Sequence, residues 1–350
     1  AHMDVAANSP NRLLRARTPL RVSFAGGGTD VQPYPREEGG QVLSATINRF
    51  VYGTLRPRQD RQIRIQSLDL DEVASMALEE ARPSGDRLDL IKAAIHRIAS
   101  DAEFGFDLFL HSAAPPGSGL GSSSAVVVTL IGLLSDYMKR PLTQYEMAEI
   151  ALGVERKDLG LKGGAQDQYA AVFGGFNFIE FGADRVLVNP LRIPDETIRE
   201  LEYNLVLCFS GSTRISDHII DDQTSRFQSH DKSTIEGLRM QKELAVEMKD
   251  ALLQGKLSEF GRLLDRAWQF KKKMSPKVSN SHINELYDAA MVNGALGGKV
   301  TGAGGGGYML LYCPYDRKHK VEDALHELGA EVVQFEFEDR GLVTWTHADD

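Results

Sequence analysis

The chain of 350 residues carries a formal net charge of −9, with 40 Lys and Arg residues against 49 Asp and Glu residues. A surface that binds nucleic acid needs a local excess of cations, and the sequence has no long basic run, so a nucleic-acid partner is not expected. The longest apolar run, Ala125 to Leu134, is about half the ~20 residues needed to cross a bilayer, which speaks against a membrane protein.

The two cysteines indicate a reducing compartment. Cys208 and Cys313 lie inside apolar runs and form no CxxC pair, so we expect small buried thiols rather than a disulfide or a metal site. No secretory signal is recognisable, and we therefore predict a cytoplasmic location. The sequence leaves the oligomeric state open, and a homodimer is compatible with it.

The first half of the chain alternates short strand-like runs with turns and a few helices. Runs rich in Val, Ile, Phe and Thr predict strands at 20–25, 41–47, 50–55, 62–66, 106–111 and 174–181. Apolar residues spaced i, i+3, i+7 and i+10 from Leu88 predict a helix there, and further helices are expected at 122–138 and 142–154.

The second half is dominated by amphipathic stretches. Helices are predicted at 235–253, 257–273, 282–296 and 320–328, and strands at 203–209, 308–313, 331–336 and 342–346. This mixture predicts an α+β fold in two domains, with a boundary near residues 190–202.

A glycine- and serine-rich segment lies between a predicted strand and a predicted helix. It reads PPGSGLGSSSA, from Pro115 to Ala125. Alternate glycines let backbone N–H groups converge on an anion, and the helix that follows offers free N–H groups and the positive end of its dipole. Three serines add hydroxyls for phosphate oxygens or a Mg²⁺ shell. The segment predicts a triphosphate-binding loop; the alternative is an ordinary loop with a serine N-cap.

Other nucleotide and nucleophile motifs fail in their sequence context. No Gly-Lys-Ser/Thr triplet occurs, so a P-loop is not expected, and the protein-kinase motifs HRD and DFG are missing. Gly302, Gly304 and Gly307 fit G-x-G-x-x-G, but they lead into a strand rather than a helix, which disfavours a dinucleotide-binding fold. Ala125 stands where G-x-S-x-G needs its last glycine, which disfavours a serine hydrolase.

Two further glycine-rich segments complete a pattern. Pro19 to Asp30 reads PLRVSFAGGGTD, and Lys299 to Tyr308 reads KVTGAGGGGY. With the Gly-Ser loop, this ordered trio resembles the three motifs of the GHMP kinases, which include galactokinase, homoserine kinase, mevalonate kinase and phosphomevalonate kinase. The segments GGGTD, GGAQDQY and VFGGFN are similar to the sugar-1-kinase branch, above all to the D-glycero-D-manno-heptose 7-phosphate kinase group, with fucokinase-type enzymes next.

The resemblance, which spans about residues 14–346, implies both a fold and a reaction. The fold would join a ribosomal-protein-S5-domain-2-like N-terminal domain, 14–196, to a ferredoxin-like C-terminal domain, 200–348, with the site between them. The reaction would be ATP- and Mg²⁺-dependent phosphorylation of the anomeric O1 of a heptose 7-phosphate to the 1,7-bisphosphate, for nucleotide-activated heptose in bacterial surface polysaccharide. Another sugar-1-kinase and a non-catalytic sugar and ATP sensor stay open as alternatives.

The same resemblance assigns the chemistry to four residues. Asp167 matches the catalytic aspartate that accepts the proton of the attacking hydroxyl, and Arg21 matches the basic residue beside it. Ser123 and Glu155 match the Mg²⁺ ligands. Without the resemblance, Asp167 would be a turn residue, Arg21 an edge-strand residue in a surface ion pair, and Glu155 a solvated member of a charged run.

The nucleotide is expected to contact the Gly-Ser loop and the third motif. The residues assigned to it are Pro116, Gly117, Ser118, Gly119, Leu120, Gly121, Ser122, Ser123, Ser124 and Gly304.

The sugar side is assigned to residues of the first motif and to the loop before Asp167. Asp30 matches a sugar-binding aspartate that can accept from two neighbouring hydroxyls; Gly27, Gly28, Thr29 and Gly164 are assigned with it. Galactokinases carry Glu-His in place of Gly27 and Gly28. We expect this loss of side chains to leave room for a bulkier sugar.

An acceptor that already carries a phosphate needs a cation of its own. Arg214, in the turn SGSTR, combines hydroxyls with a guanidinium that can bind phosphate through two hydrogen bonds. The run Lys271 to Lys273 is a second candidate, or simply a set of cations at a helix C-terminus.

Overall fold

A computed structural model describes residues 11–213 and 217–349. The strands are β1 (Arg12–Ala25), β2 (Gly40–Pro57), β3 (Gln62–Ser67), β4 (Glu72–Ala77), β5 (Phe106–Ser112), β6 (Phe176–Phe181), β7 (Val186–Pro190), β8 (Leu205–Phe209), β9 (Gly297–Val300), β10 (Tyr308–Tyr312), β11 (Glu331–Val333) and β12 (Val343–Ala348). The helices are α1 (Tyr34–Glu38), α2 (Asp89–Ala99), α3 (Ser122–Tyr137), α4 (Gln144–Gly153), α5 (Gln166–Phe173), α6 (Asp195–Asn204), α7 (Asp217–Gln228), α8 (Lys232–Leu253), α9 (Leu257–Lys272), α10 (Ser281–Val292) and α11 (Lys318–Glu327).

The larger sheet has the strand order β12-β1-β2-β5-β3-β4, and β6 pairs with both β2 and β7. The strands predicted at 41–47 and 50–55 are one long strand, β2, which pairs with β6 through its first half and with β5 through its second. The register against β1 shifts between the pairs Pro19–Phe50 and Leu20–Ile47. This bulge produced the apparent gap in the pattern, because a bulge bends a strand without ending it.

Helices α2 to α5 cover one face of this sheet. Helix α3 is apolar nearly all round because it is central: it contacts β1, β2, α2, α4 and α5. Its buried residues, such as Leu130 and Leu133 on one side and Val128 and Ile131 on the other, belong to two separate core clusters. A helix buried on several sides is expected to lose the usual polar face.

The smaller sheet, of order β11-β8-β10-β9, is antiparallel throughout. Alternate residues of β8 face opposite layers, as the pleat requires. Leu205 and Leu207 join the core formed with α8, α9 and the larger sheet, whereas Val206 and Cys208 join the core under α10 and α11. The expectation of small buried thiols is confirmed: Cys208 and Cys313 are free and buried, and burial raises the pKa of each to about 12.

The end of the chain departs from the predicted domain boundary. Strand β12 pairs with β1 over the register Arg12–Ala348 to Arg17–Val343, so it belongs to the larger sheet and not to the domain predicted over 200–348. Before β12 begins, Phe337 already contacts the larger sheet: it forms an isolated β-bridge with Ile47 and packs on the ring of Phe176. Sequence periodicity identifies a strand but not its partner, so the sequence did not indicate that this last strand pairs with β1.

Several short elements were not predicted from the sequence, namely β4, β7, β9, α1, α5, α6 and α7. Helix α6 occupies part of the segment predicted as a strand, so β8 begins only at Leu205. Within the two described ranges, no helix combines the length and apolarity needed to cross a membrane.

Candidate functional site

A cleft lies where the end of β1, the Gly-Ser loop, the loop before α5, helix α7, the end of α9 and the third glycine-rich segment meet. Most residues predicted for the site line it: Arg21, Gly27, Gly28, Asp30, Gly117, Ser118, Gly119, Gly121, Ser122, Ser123, Ser124, Glu155, Gly164, Asp167 and Gly304. Segments that are far apart in the chain are thereby brought together around one opening.

Three predicted residues lie elsewhere, and a fourth falls outside the described residues. The Leu120 side chain is fully buried in the core, and Pro116 is exposed and does not line the cleft. The Thr29 hydroxyl donates to the Gly26 carbonyl at 2.7 Å and accepts from the Gln41 N–H at 3.0 Å, so it stabilises a turn instead of facing the cleft. Arg214, predicted for a substrate phosphate, lies outside the described residues.

Arg21 and Asp167 form the central polar pair. Two nitrogens of Arg21, Nε and Nη2, each lie 2.7 Å from Asp167 Oδ1, and Nη1 donates to the Gly119 carbonyl at 2.6 Å. The Arg21 side chain is only 5% exposed, whereas that of Asp167 is 26% exposed. Asp167 also lies in the first turn of α5, where the helix dipole favours an anion. The buried cation thus fixes a carboxylate whose Oδ2 has no hydrogen-bond partner among the residues that the structure describes.

Asp30 is buried and already largely bonded. Its Oδ2 accepts from the N–H groups of Ala165 at 2.9 Å and Gln166 at 3.0 Å, and Oδ1 accepts from Gly28 N at 3.1 Å. Burial raises the pKa of Asp30 and the Asp167 carboxylate adds to that rise, against the opposing effect of the N–H donors. Asp30 therefore caps the start of α5. A carboxylate has about four acceptor positions, and three of those of Asp30 are taken by N–H groups, which leaves room for one further hydroxyl rather than the expected two.

The room expected beside Gly27 and Gly28 is partly filled. Gly28 has φ +99°, and a side-chain carbon there would come within 2.3 Å of Met274 Cε and 3.1 Å of the Gln223 amide. The positive φ favours glycine whatever the space, so the glycine at position 28 is explained by its backbone conformation without an enlarged sugar pocket. At Gly27 the added carbon would make only ordinary contacts of 3.5 Å or more.

The three serines of the Gly-Ser loop have different surroundings. The Ser122 hydroxyl contacts the Ser112 hydroxyl and the Ala114 carbonyl, both at 3.0 Å, so it serves the loop structure and leaves only its backbone for a phosphate. Ser124 accepts from the Gln168 amide at 3.1 Å. Ser123 is the exposed member, at the start of α3.

Glu155 is buried, although its charged sequence context is typical of a solvated residue. It lies on the π-helical turn Val154–Asp158 that follows α4, a geometry often found at functional sites. The Gln168 amide donates to Glu155 Oε1 at 2.8 Å, and burial raises the pKa of the carboxyl group against the effects of Arg156, Ser124 and Gln168. A buried carboxylate at the edge of a polar cleft is suited to hold a cation.

Sequence reasoning gave too little weight to Lys271. This side chain is only 3% exposed, lines the cleft and donates to the Gly302 carbonyl. Burial lowers its pKa to about 8, and the Arg21 cation adds to that effect while Asp30 and Asp167 oppose it. The helical period could have found it, because Lys271 continues the buried stripe of Leu264 and Ala267 on α9.

Arg156 and Lys299 were missed entirely. Arg156 donates to the Gly164 carbonyl from Nε at 3.1 Å and from Nη2 at 2.9 Å, which braces the loop before α5. Lys299 is buried on β9, and among the described residues its Nζ has no hydrogen-bond partner. Burial lowers the pKa of Lys299 far below its ordinary value, with Lys271 and Arg21 acting in the same direction.

Comparison with known proteins matches both halves of the chain. Residues 89–175 match the family model described as the GHMP kinases N terminal domain, and residues 248–332 match that of the GHMP kinases C terminal. The chain is 38% identical to the D-glycero-alpha-D-manno-heptose 7-phosphate kinase of Campylobacter jejuni subsp. jejuni serotype O:2, over 95% of this chain and 99% of that protein.

Two solved structures are similar over almost their whole length. The structure of a D-glycero-D-manno-heptose 1-phosphate kinase from Bacteroides thetaiotaomicron superposes with a TM-score of 0.80 at 36% identity, covering 95% of this chain and 98% of the other. A putative sugar kinase from Campylobacter jejuni superposes with a TM-score of 0.78 at 37% identity, covering 96% and 98%.

Proposed function

Because the chain belongs to the GHMP kinase family, we propose that it transfers the γ-phosphoryl group of ATP to the anomeric O1 of D-glycero-D-manno-heptose 7-phosphate, giving the 1,7-bisphosphate. The observation that carries the proposal is the Arg21–Asp167 pair beside the Gly-Ser loop, which combines an oriented base with a place for a triphosphate. A sensor of sugar and ATP has no need of such a base.

Asp167 is the general base in this proposal. Oδ2 accepts the proton of the anomeric hydroxyl while both Arg21 nitrogens hold Oδ1. The anomeric oxygen forms a bond to the γ-phosphorus as the bond from that phosphorus to the β,γ-bridging oxygen breaks, and the electron pair stays with ADP. Arg21 stabilises the negative charge that spreads over the transferred oxygens.

The Gly-Ser loop is the proposed cradle of the triphosphate. Gly119 has φ +82°, and a side-chain carbon there would come within 2.3 Å of the Thr301 carbonyl, so the loop packs directly against the third motif. Helix α3 begins at this junction. The first N–H groups of a helix have no partner within the helix, and they favour binding of a polyanion there. The backbone, rather than the Ser122 hydroxyl, is expected to carry most phosphate contacts.

Ser123 and Glu155 are the proposed Mg²⁺ ligands. The residues fit the ion: both line the same cleft, Ser123 is exposed, and Glu155 is a buried carboxylate whose ionised form a cation would stabilise. One hydroxyl and one carboxylate are a sparse set, suited to a metal that keeps several waters and binds phosphate oxygens. When bound, the ion neutralises charge on the transferred phosphate.

Heptose 7-phosphate is proposed as the acceptor because of the relative that is 38% identical over 99% of its length. Asp30 supports the sugar side in two ways: it can accept from one sugar hydroxyl, and it holds the start of α5, which carries Asp167. We further propose a cytoplasmic location, where ATP is available and the free thiols stay reduced. A homodimer is compatible with this proposal.

The test is a coupled ADP-release assay over heptose 7-phosphate, the heptose without phosphate, L-fucose and D-galactose, with ATP and Mg²⁺ saturating. We expect heptose 7-phosphate to show by far the highest kcat/KM, and phosphorus NMR to identify a new phosphate at C1. Faster turnover of fucose would refute the acceptor, and silence with every sugar would favour the sensor.

A further inference from the structure

We infer that Lys271 is a catalytic residue whose ammonium contacts the phosphoryl group in transfer, together with Arg21 and the Gly-Ser loop. The inference rests on the proposed kinase function, in which the γ-phosphorus exchanges its bond to ADP for a bond to the sugar oxygen. It assigns to the C-terminal half of the chain a direct part in the reaction centre, beyond its part in forming the cleft.

The first support is the position of the side chain. Lys271 lies in the last turn of α9, on the stripe that packs into the core, so its stem is buried while its end lines the cleft. An ammonium group has three donor hydrogens, and among the described residues this group donates one hydrogen bond, to the Gly302 carbonyl. Donors are therefore left over for a ligand, in a place where a charged group is costly without one.

The second support is a continuous series of contacts from Lys271 to the base. Gly302, the acceptor of Lys271, lies against Gly119, where a side-chain carbon on Gly302 would meet Gly119 Cα at 2.8 Å. The Gly119 carbonyl in turn accepts from Arg21 Nη1 at 2.6 Å, and Arg21 holds Asp167. The ammonium and the guanidinium thus approach the Gly-Ser loop from the two halves of the molecule.

The third support is the sugar side of the same group. A side-chain carbon built on Gly27 would lie 3.5 Å from Lys271 Nζ and 3.6 Å from the Gln166 amide nitrogen. Lys271 therefore stands between the segment assigned to the sugar and the segment assigned to the nucleotide. In the proposed reaction a phosphoryl group passes from one to the other, so a cation at this position would stabilise the charge on its oxygens.

The charges around Lys271 favour the binding of an anion. The charged groups that face Lys271 are Arg21 from β1, Asp30 from the turn after β1, Asp167 from α5 and Lys299 from β9. Asp30 already accepts three N–H bonds and Asp167 is held by Arg21, so neither contributes a short ion pair to Lys271. A phosphate oxygen would give the ammonium the charged partner that the described residues do not supply.

A purely structural role is the main alternative, in which Lys271 only anchors the Gly302 carbonyl. The variants Lys271→Gln and Lys271→Met separate the two: glutamine can still donate to Gly302 but carries no charge, and methionine does neither. Lys273→Met is the matched control, because Lys273 does not line the cleft: it is exposed and pairs with Glu236 at 3.6 Å. Melting temperatures establish that each variant is folded.

In steady-state kinetics we expect both Lys271 variants to lose about 10²-fold or more in kcat, with the KM for the sugar phosphate changed less than about threefold. Retained kcat in Lys271→Gln would show that only the Gly302 anchor matters and would overturn the inference. A raised KM for the sugar phosphate with an unchanged kcat would also overturn it, because the ammonium would then bind the acceptor's own phosphate.

Two further measurements, a pH profile and calorimetry, distinguish loss of the ammonium group from a loss of folding. The alkaline limb of kcat/KM, expected near pH 8 where Lys271 loses its proton, should vanish in Lys271→Met and persist in Lys273→Met. Calorimetry with ADP and with a non-hydrolysable ATP analogue needs no sugar, so it tests the inference even if the proposed acceptor is wrong. We expect the preference for the triphosphate to fall about tenfold in Lys271→Gln; an unchanged preference would contradict the contact.

Discussion

Arg21 Nε donates to Asp167 Oδ1 at 2.7 Å although 146 positions separate the two residues in the chain. The pair joins β1, the first strand of the larger sheet, to the first turn of α5. Nε and Nη2 of Arg21 both contact Oδ1 of Asp167, so the guanidinium orients the carboxylate without occupying Oδ2. This arrangement is what a base for a sugar hydroxyl needs: a fixed position, a free acceptor and a neighbouring cation.

Replacement of Asp167 by asparagine should remove the base and keep the shape. We expect kcat to fall by about 10²–10⁴-fold, because the amide cannot take the hydroxyl proton. The melting temperature should stay close to that of the wild type, since an amide oxygen can still accept from Arg21. Asp184→Asn, a change at an exposed acid in the β6–β7 turn, is the control and should be silent. Near wild-type turnover of Asp167→Asn would remove Asp167 from its proposed role.

Glu155→Gln and Ser123→Ala should raise the Mg²⁺ concentration needed for half-maximal activity, each by about 10-fold or more, since each deletes one proposed ligand. Calorimetry of the ATP analogue with and without Mg²⁺ checks the effect independently of turnover. Ser122→Ala is the matched control, because its hydroxyl is bonded to Ser112 and Ala114. That control should cost about 1 kcal/mol of stability and leave the Mg²⁺ dependence unchanged; a shifted dependence there would mean that the serines are assigned wrongly.

Asp30→Asn should weaken both the fold and the reaction. Asp30 accepts from N–H groups on both of its oxygens, so either orientation of an amide leaves at least one donor facing an NH₂ group. We expect a loss of about 1–3 kcal/mol in the free energy of unfolding, measured in urea, together with a lower kcat because the start of α5 is no longer held. Unchanged stability would mean that these bonds are not as important as their geometry indicates.

Lys299→Met should stabilise the protein at neutral pH. The folded-state pKa of Lys299 is depressed well below 10.5, so between the two pKa values the unfolded chain binds one more proton than the native protein. This residue therefore makes stability rise with pH across that window, by up to about 1.4 kcal/mol per unit. Methionine removes the effect, and its advantage over the wild type should shrink as the pH rises toward 10.

Urea unfolding at pH 7 and pH 9 tests this expectation, with Lys320→Met, a change at an exposed lysine on α11, as the control. A Lys299→Met protein that is clearly less stable at pH 7 would show that the lysine is charged and paired in the native state.

Most of the residues that line the cleft were predictable, because they belong to motifs of short spacing. Most glycines and serines of the Gly-Ser loop, the pair Arg21 and Asp167, and Glu155 line the cleft as expected. What could not be predicted was which hydroxyl or carboxylate is already used by the protein. Ser122 and Asp30 are bonded to neighbours that come from distant segments, and no local pattern announces such partners.

The space beside Gly28 also depends on residues from distant parts of the chain, which the sequence does not identify. Two glycines in place of two larger residues suggest an enlarged pocket, but Met274 and Gln223, more than 190 positions away, occupy that volume. Lys271 is the converse case: its sequence context is a run of surface-like cations, and only the packing of α9 turns one of the three inward.

The sequence by itself determined the α+β composition, most of the long helices and strands, the family and most of the residues that line the cleft, because these follow from periodicity and short motifs. Only the tertiary structure decided that β12 closes the larger sheet, that Glu155 and Lys271 are buried, and which donors and acceptors remain for a ligand. Burial and hydrogen-bond satisfaction are properties of contacts between distant segments, and a carboxylate or an ammonium acquires its function from them.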